Sequence, residues 1–120
     1  MTKTFEWASI DILSEKVINT TNNRLTFTIN GVPHEIVINQ GNYTSNVGNR
    51  FSGLVNEIQA KIKLQSLNLE CKMGVIVDTK KQVVAVFVHD ENDTFTMDGT
   101  LLNVIGEGDI ITIDDGKGVI

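Results

Sequence analysis

Leu25-Thr26-Phe27-Thr28-Ile29-Asn30-Gly31-Val32-Pro33-His34-Glu35-Ile36-Val37-Ile38 is the stretch that decides the fold. Two alternating runs flank Asn30-Gly31. Asn-Gly suits a two-residue type I′ loop, because both loop positions need φ > 0. Such a loop fixes the register. Ile29 then opposes Val32, Thr28 opposes Pro33, Phe27 opposes His34, Thr26 opposes Glu35 and Leu25 opposes Ile36. Directly opposed residues share a face. One face collects Leu25, Phe27, Ile29, Val32, His34 and Ile36, with Ile38 beyond. The other collects Thr26, Thr28, Pro33, Glu35 and Val37. The register set by the turn therefore agrees with the apolar pattern. Pro33 falls at a non-hydrogen-bonded pair, so its missing N–H lies on the side away from the first strand. That side is expected to be an unpaired edge near the turn.

Outward from this hairpin, Asn39-Gln40-Gly41-Asn42 reads as a loop, and Thr44 as a helix N-cap. Val47, Phe51, Leu54, Val55, Ile58 and Ile62 follow at helical spacing, which predicts a helix over 45–64. Arg50, Asn56, Glu57 and Lys61 fall on its opposite face. Gly48 and Gly53 each weaken that helix by about 1 kcal/mol relative to Ala, so packing on a sheet has to compensate. Residues 71–77 and 83–88 read as a second hairpin around Asp78-Thr79-Lys80-Lys81-Gln82. Val83-Val84-Ala85-Val86-Phe87-Val88 is apolar throughout. This suggests a central strand, covered on both faces or covered on one face and buried in an assembly.

On the N-terminal side, 5–13 read as a strand whose alternation slips at Ala8-Ser9, as a bulge would cause. A short extended piece at Val17-Ile18 and a turn at Thr20-Thr21-Asn22-Asn23 precede the hairpin. Beyond the second hairpin, 89–94 read as a charged loop. Asp98 is a cap for a helical turn over 99–105 that Gly106 ends. Ile110-Ile111-Thr112-Ile113 is a last strand, and Asp114-Asp115-Gly116-Lys117-Gly118 a turn. The order β, ββ, α, ββ, helical turn, β makes one α+β domain over 1–120. The expected architecture is a mostly antiparallel sheet of five to six strands, with one long helix on one face. The apolar end Val119-Ile120 leaves open whether this is a whole protein or the N-terminal part of a longer one.

Composition limits the function. With 41% hydrophobic and 21% charged residues, the 120-residue chain falls in the ordinary globular range and outside the disordered one. Val, Ile and Thr supply about a third of it, which favours strands. A net charge of −5 makes it a poor ligand for phosphate backbones, so no nucleic-acid partner is expected. No basic amphipathic helix or apolar run of about 18 residues points to a membrane. The start Met1-Thr2-Lys3-Thr4-Phe5-Glu6-Trp7 lacks the apolar stretch of a secretion signal. The lone Cys71 has no disulfide partner and suits the cytosol or a particle assembled there.

No motif announces catalysis. His34 and His89 are isolated in sequence, and pairing either with Cys71 would need a tertiary accident. Asp90, Glu91, Asp93 and Asp98 offer oxygen ligands but miss the EF-hand spacing. Asp109, Asp114 and Asp115 suit turns. Gly106-Glu107-Gly108 lacks the third glycine of a dinucleotide fingerprint. No cofactor and no metal are expected. Two features point to contact instead. Phe5 and Trp7 near the terminus could anchor a neighbour, and the edge at Pro33, beside a Thr-rich sheet face, could pair with another strand.

One resemblance follows from these residues. Thr21-Asn22-Asn23, the hairpin from Leu25 to Ile38, Gly41-Asn42-Tyr43-Thr44 and the helical stripe closing near Ile58-Gln59 together resemble a module of phage and viral virion structural proteins. Leu101-Leu102-Asn103-Val104-Ile105-Gly106 is similar to the segment that follows there, although Glu107 stands where an apolar residue is usual. The hairpin–helix pattern is also similar to that of flagellin-like filament proteins. The resemblance implies a non-enzymatic structural component of a head, neck, tail or fibre. Its expected partners are copies of itself and other virion proteins, its expected location the virion after assembly in the host cytoplasm, and its acidic charge keeps free subunits soluble. The alternative is a small module, appended to a larger protein, that binds a peptide strand or glycan at its β edge.

Overall fold

The computed structural model describes residues 2–7, 10–46, 48, 51–76, 81–88, 93–106 and 109–114. The decisive hairpin forms as read. β3 (Arg24–Ile29) pairs with β4 (Val32–Val37) in the register Ile29↔Val32, Thr28↔Pro33, Phe27↔His34, Thr26↔Glu35, Leu25↔Ile36. Asn30 (φ 49°) and Gly31 (φ 84°) take the left-handed conformations that the type I′ loop demands. Leu25, Phe27 and Ile36 are buried, while Val37 on the other face is exposed.

β3 also pairs on its far side with β10 (Phe95–Asp98), giving a three-stranded sheet ordered β10-β3-β4. The second hairpin, β8 (Leu69–Ile76) with β9 (Lys81–Val88), joins β1 (Thr2–Trp7) and β11 (Asp109–Asp114) in a four-stranded sheet ordered β11-β1-β9-β8. Two ribbons complete the chain. β2 (Lys16–Ile18) pairs with β5 (Gly41–Tyr43), and β6 (Ser45–Asn46) pairs with β7 (Phe51–Ser52). Every described strand pair is antiparallel.

The molecule is thus α+β and antiparallel with one main helix, but the expected single sheet of five to six strands is replaced by several smaller ones. The reason lies in the core. Leu25, Phe27, Ile36, Phe95 and Met97 from one sheet meet Leu69, Cys71, Met73, Val84 and Val86 from the other in one cluster. Residues of both sheets and of the helix thus close on one shared interior, which buries more apolar area than a single sheet with one covered face. β9 is the buried central strand that its sequence suggests. Val84 and Val86 face the cluster, and Val83 and Ala85, outside it, are equally inaccessible, so the chain itself covers both faces.

Helix α1 runs over Gly53–Leu64 and starts later than the apolar stripe predicts. Its N-cap is Ser52, whose Oγ accepts from the Val55 N–H at 3.2 Å, and Thr44 is not the cap. The competing structure before it is polar and local. The Asn46 side chain accepts from the Gly48 N–H at 2.7 Å, and the Ser45 and Ser52 hydroxyls share a hydrogen bond of 2.8 Å across β6–β7. Asn and Ser offer the backbone these alternatives to a helical turn. Phe51 is therefore an exposed strand residue, and Leu54, Val55, Ile58 and Ile62 alone carry the buried stripe. Val47 and Arg50 lie outside the described residues.

Smaller expectations divide. The first strand stops at Trp7 rather than running to Leu13, with Ala8-Ser9 outside the described residues. Ile12 instead donates its N–H to the Gln82 carbonyl at 2.8 Å and buries its side chain completely. The helical turn shortens to α2 (Leu102–Ile105) and ends at Gly106 (φ 85°) as read. Asp98 ends β10 instead of capping α2, its Oδ1 accepting from the Gly99 N–H at 2.8 Å. The expected loop 39–42 contributes Gly41 and Asn42 to β5. Of the turns expected at 78–82 and 114–118, Lys81 and Gln82 instead begin β9 and Asp114 ends β11, while 78–80 and 115–118 lie outside the described residues, as do 77, 89–92, 107–108 and 119–120.

Candidate functional site

The site that the sequence singles out at Pro33 sits on an edge. β4 pairs with β3 on one side, and no described strand pairs with it on the other. A two-residue loop makes Ile29–Val32 a hydrogen-bonded pair, and pairs then alternate. His34 and Ile36 accordingly turn their backbone groups towards β3. Pro33, Glu35 and Val37 turn theirs outward. Pro33 is exposed and has no N–H, so it presents a carbonyl alone. Val32 and Val37, near the two ends of this edge, are 54% and 41% exposed.

The edge is guarded from the side of α1. Beyond the helix end, the Gln65 Nε2 donates to the Glu35 carbonyl at 2.6 Å. One turn and a half earlier, Gln59 Oε1 accepts the Cys71 N–H at 2.7 Å. That amide belongs to β8, which ends the four-stranded sheet. The helix thus lies between the open sides of both sheets and satisfies one outward group on each through a glutamine side chain. The two satisfied groups differ in burial: Cys71 is in the core and Glu35 is exposed. An Arg24–Glu35 ion pair of 2.7 Å adds charge beside β4. With both side chains about half exposed it contributes little stability, of the order of 0–1 kcal/mol. Glu57 Oε2 accepts the Asn39 N–H at 2.9 Å and lies 3.7 Å from Lys61 Nζ, which fixes the chain leaving β4 to the helix.

Phe5 and Trp7 lie elsewhere. Their strand β1 is held on both sides, with Phe5 opposite Phe87 and Ile111, and Trp7 opposite Ala85 and Asp109. Pro33 and the aromatic pair therefore belong to different sheets.

The candidate chemistry does not assemble among the described residues. Cys71 is buried, and burial first and the neighbouring Glu70 charge second push its thiol far above the ordinary range, so it stays protonated and a poor nucleophile. His34 is half-buried on edge strand β4, in a different sheet from Cys71. No group of three His, Cys, Asp or Glu side chains is placed to hold a metal among the described residues. Asp93 instead accepts from Asn30 Nδ2 at 2.8 Å. No described helix is long and apolar enough to cross a membrane.

Sequence reasoning finds the edge through Pro33 but misses the two glutamines. Gln59 and Gln65 are six residues apart and look like ordinary helix-surface positions; only the tertiary placement of β4 and β8 gives them partners. No family model matches this chain, and neither a curated protein nor a solved structure matches it.

Proposed function

We propose that this chain is a structural, non-enzymatic subunit that assembles with copies of itself, as a virion component of a phage or virus does, and that the outer edge of β4 is a contact surface. One observation carries the reading: Pro33, Glu35 and Val37 turn backbone groups away from the sheet, between two exposed valines. An edge of this kind pairs with another strand and closes a symmetric contact when the partner is identical. Gln65 and the missing N–H of Pro33 keep the edge from pairing indiscriminately, and the net charge of −5 keeps free subunits apart. Assembly then requires the exposed Gln65 side chain to swing off the Glu35 carbonyl and the C-terminal end of α1, which packs beside β4, to make room for the added strand. The aromatic positions Phe5 and Trp7 are a second contact candidate on the four-stranded sheet.

The test is light scattering behind size-exclusion chromatography over a wide concentration range, on the wild type and on Val37→Lys. A lysine on an edge strand opposes strand addition. The wild type is expected to form a discrete closed oligomer, and Val37→Lys to stay monomeric, with the melting temperature of the dilute, unassembled wild type. A wild-type monomer at every concentration overturns self-assembly.

A second reading uses the same edge. Gln65 Nε2 already donates to the Glu35 carbonyl as a peptide N–H would, so an extended peptide could add to β4 instead of another subunit. It predicts a monomer that binds such a peptide and loses it on Val37→Lys.

A further inference from the structure

Asn30-Gly31 is the only Asn-Gly dipeptide in the sequence. Its side-chain carboxamide is, by its sequence neighbour, the most exposed to intramolecular attack. Glycine has no side chain to shield its backbone nitrogen, so that nitrogen can attack the preceding carboxamide. Asparagine is thermolabile for this reason.

The structure ties that carboxamide to the segment before β10. Asn30 Nδ2 donates to Asp93 Oδ1 at 2.8 Å. Asn30 Oδ1 accepts from the Thr94 N–H at 2.9 Å and from its hydroxyl at 3.4 Å. The Asn30 N–H donates to the Thr94 carbonyl at 2.9 Å. Both ends of the side-chain amide are thus engaged across the gap to the segment leading into β10. Asp93 is tied in turn to Asn68 Nδ2 at 3.5 Å. The turn itself, with both residues at positive φ, is fixed by the hairpin.

We propose that Asn30 is a latent modification site, a deamidation switch that the Asp93–Thr94 latch holds off and that opening of the latch releases. The chemistry balances without a catalyst or an external redox partner. The Gly31 nitrogen loses its proton to solvent base and forms a bond to Asn30 Cγ. The Cγ–Nδ2 bond breaks, and ammonia leaves with the proton returned by solvent, closing a five-membered succinimide. One water then opens the ring at either carbonyl, giving aspartate or isoaspartate at position 30. Either product has lost the N–H that Asp93 accepts and sets a second carboxylate against it. The isoaspartate route also adds a methylene to a two-residue loop whose length fixes the β3–β4 register. The modification therefore removes the Asn30–Asp93 bond between the β3–β4 turn and the segment leading into β10, and disturbs Val32 and Pro33, at the start of the edge described above.

The experiment ages the full chain in warm, mildly alkaline buffer and follows the mass gain of about one dalton at each asparagine by peptide mapping. A reaction that needs local opening runs at the unfolded rate multiplied by the open fraction. We expect Asn30 in the folded chain to react at least about tenfold more slowly than in urea, the ratio that ~1.4 kcal/mol of opening gives. Asp93→Ala is expected to speed Asn30 several-fold in the folded chain while Asn39 and Asn42 keep their rates. Asp93→Asn, which keeps an acceptor oxygen, is expected to stay near the wild type. A folded-state rate equal to that in urea overturns the proposal. So does an Asp93→Ala rate no higher than wild type, or an acceleration shared by all asparagines, which reports general unfolding. Should Asp93→Ala not fold, the wild-type and Asp93→Asn comparisons against urea decide alone.

Discussion

Gln59→Leu should destabilise the fold by about 1–3 kcal/mol, the cost of leaving a buried N–H without an acceptor. The magnitude follows from one bond. Gln59 Oε1 takes the Cys71 N–H at 2.7 Å, and Cys71 is only 4% exposed, so water cannot replace the lost oxygen. Leucine matches glutamine closely in size and favours helix equally well, so neither packing loss nor helix propensity should offset the effect. Gln65→Leu is the internal control. It removes a bond of nearly equal length at the C-cap of the same helix, but the Glu35 carbonyl it frees is at an exposed edge where water takes over. Its expected cost is at most about 0.5 kcal/mol, the usual size of a surface substitution. Urea unfolding, read as a change in midpoint at constant m, separates the two. Equal costs for both variants would refute the argument that burial, rather than the hydrogen bond as such, sets the contribution. A Gln59→Leu cost under about 0.5 kcal/mol would do the same.

Further expectations can be checked on the same material. Ile58→Ala removes a fully buried side chain from the centre of the helix stripe and should cost about 2–5 kcal/mol in urea unfolding. Ser52→Ala deletes the α1 cap and its bond to Ser45, and should cost about 0.5–2 kcal/mol, seen as a lower midpoint with an unchanged circular dichroism spectrum. Gly99→Ala should cost more than its size suggests, at least about 1–3 kcal/mol, because Gly99 has φ 115° and a Cβ there would stand 2.5 Å from the Arg24 carbonyl oxygen. The raised Cys71 thiol implies a pH dependence. The unfolded thiol loses its proton from about pH 8.5 upward while the folded one keeps it, so stability should fall above that pH by up to ~1.4 kcal/mol per unit. Cys71→Ala should flatten that slope in melts recorded against pH, and an unchanged slope would refute the assignment.

Much of this fold is legible in the sequence where the signal is local. Asn30-Gly31 gives the hairpin and its register because a two-residue turn leaves no freedom. The unbroken apolar run at 83–88 marks a strand buried on both sides. Periodicity fails where polar side chains compete for the backbone. The stripe from Val47 to Ile62 has helical spacing throughout, yet Ser45, Asn46 and Ser52 bond locally and delay α1 until Gly53. β10 hides because only Phe95 and Met97 alternate, next to an acidic stretch, and two positions are a weak pattern. The division into separate sheets is set by long-range pairings such as β1 with β11, which no window of sequence contains. The edge at Pro33 could be foreseen from its missing N–H, whereas the guard Gln65, 30 residues beyond the Glu35 it bonds, could not.

The central claim is that the outer edge of β4 becomes paired when the chain assembles. Residue-resolved amide exchange, measured at low and at high protein concentration, tests it directly. The Ile36 N–H faces β3 and should be protected at both. The Glu35 and Val37 N–H groups should exchange fast in the dilute chain and slow markedly in the concentrated one. Fast exchange at Glu35 and Val37 at every concentration would contradict the account.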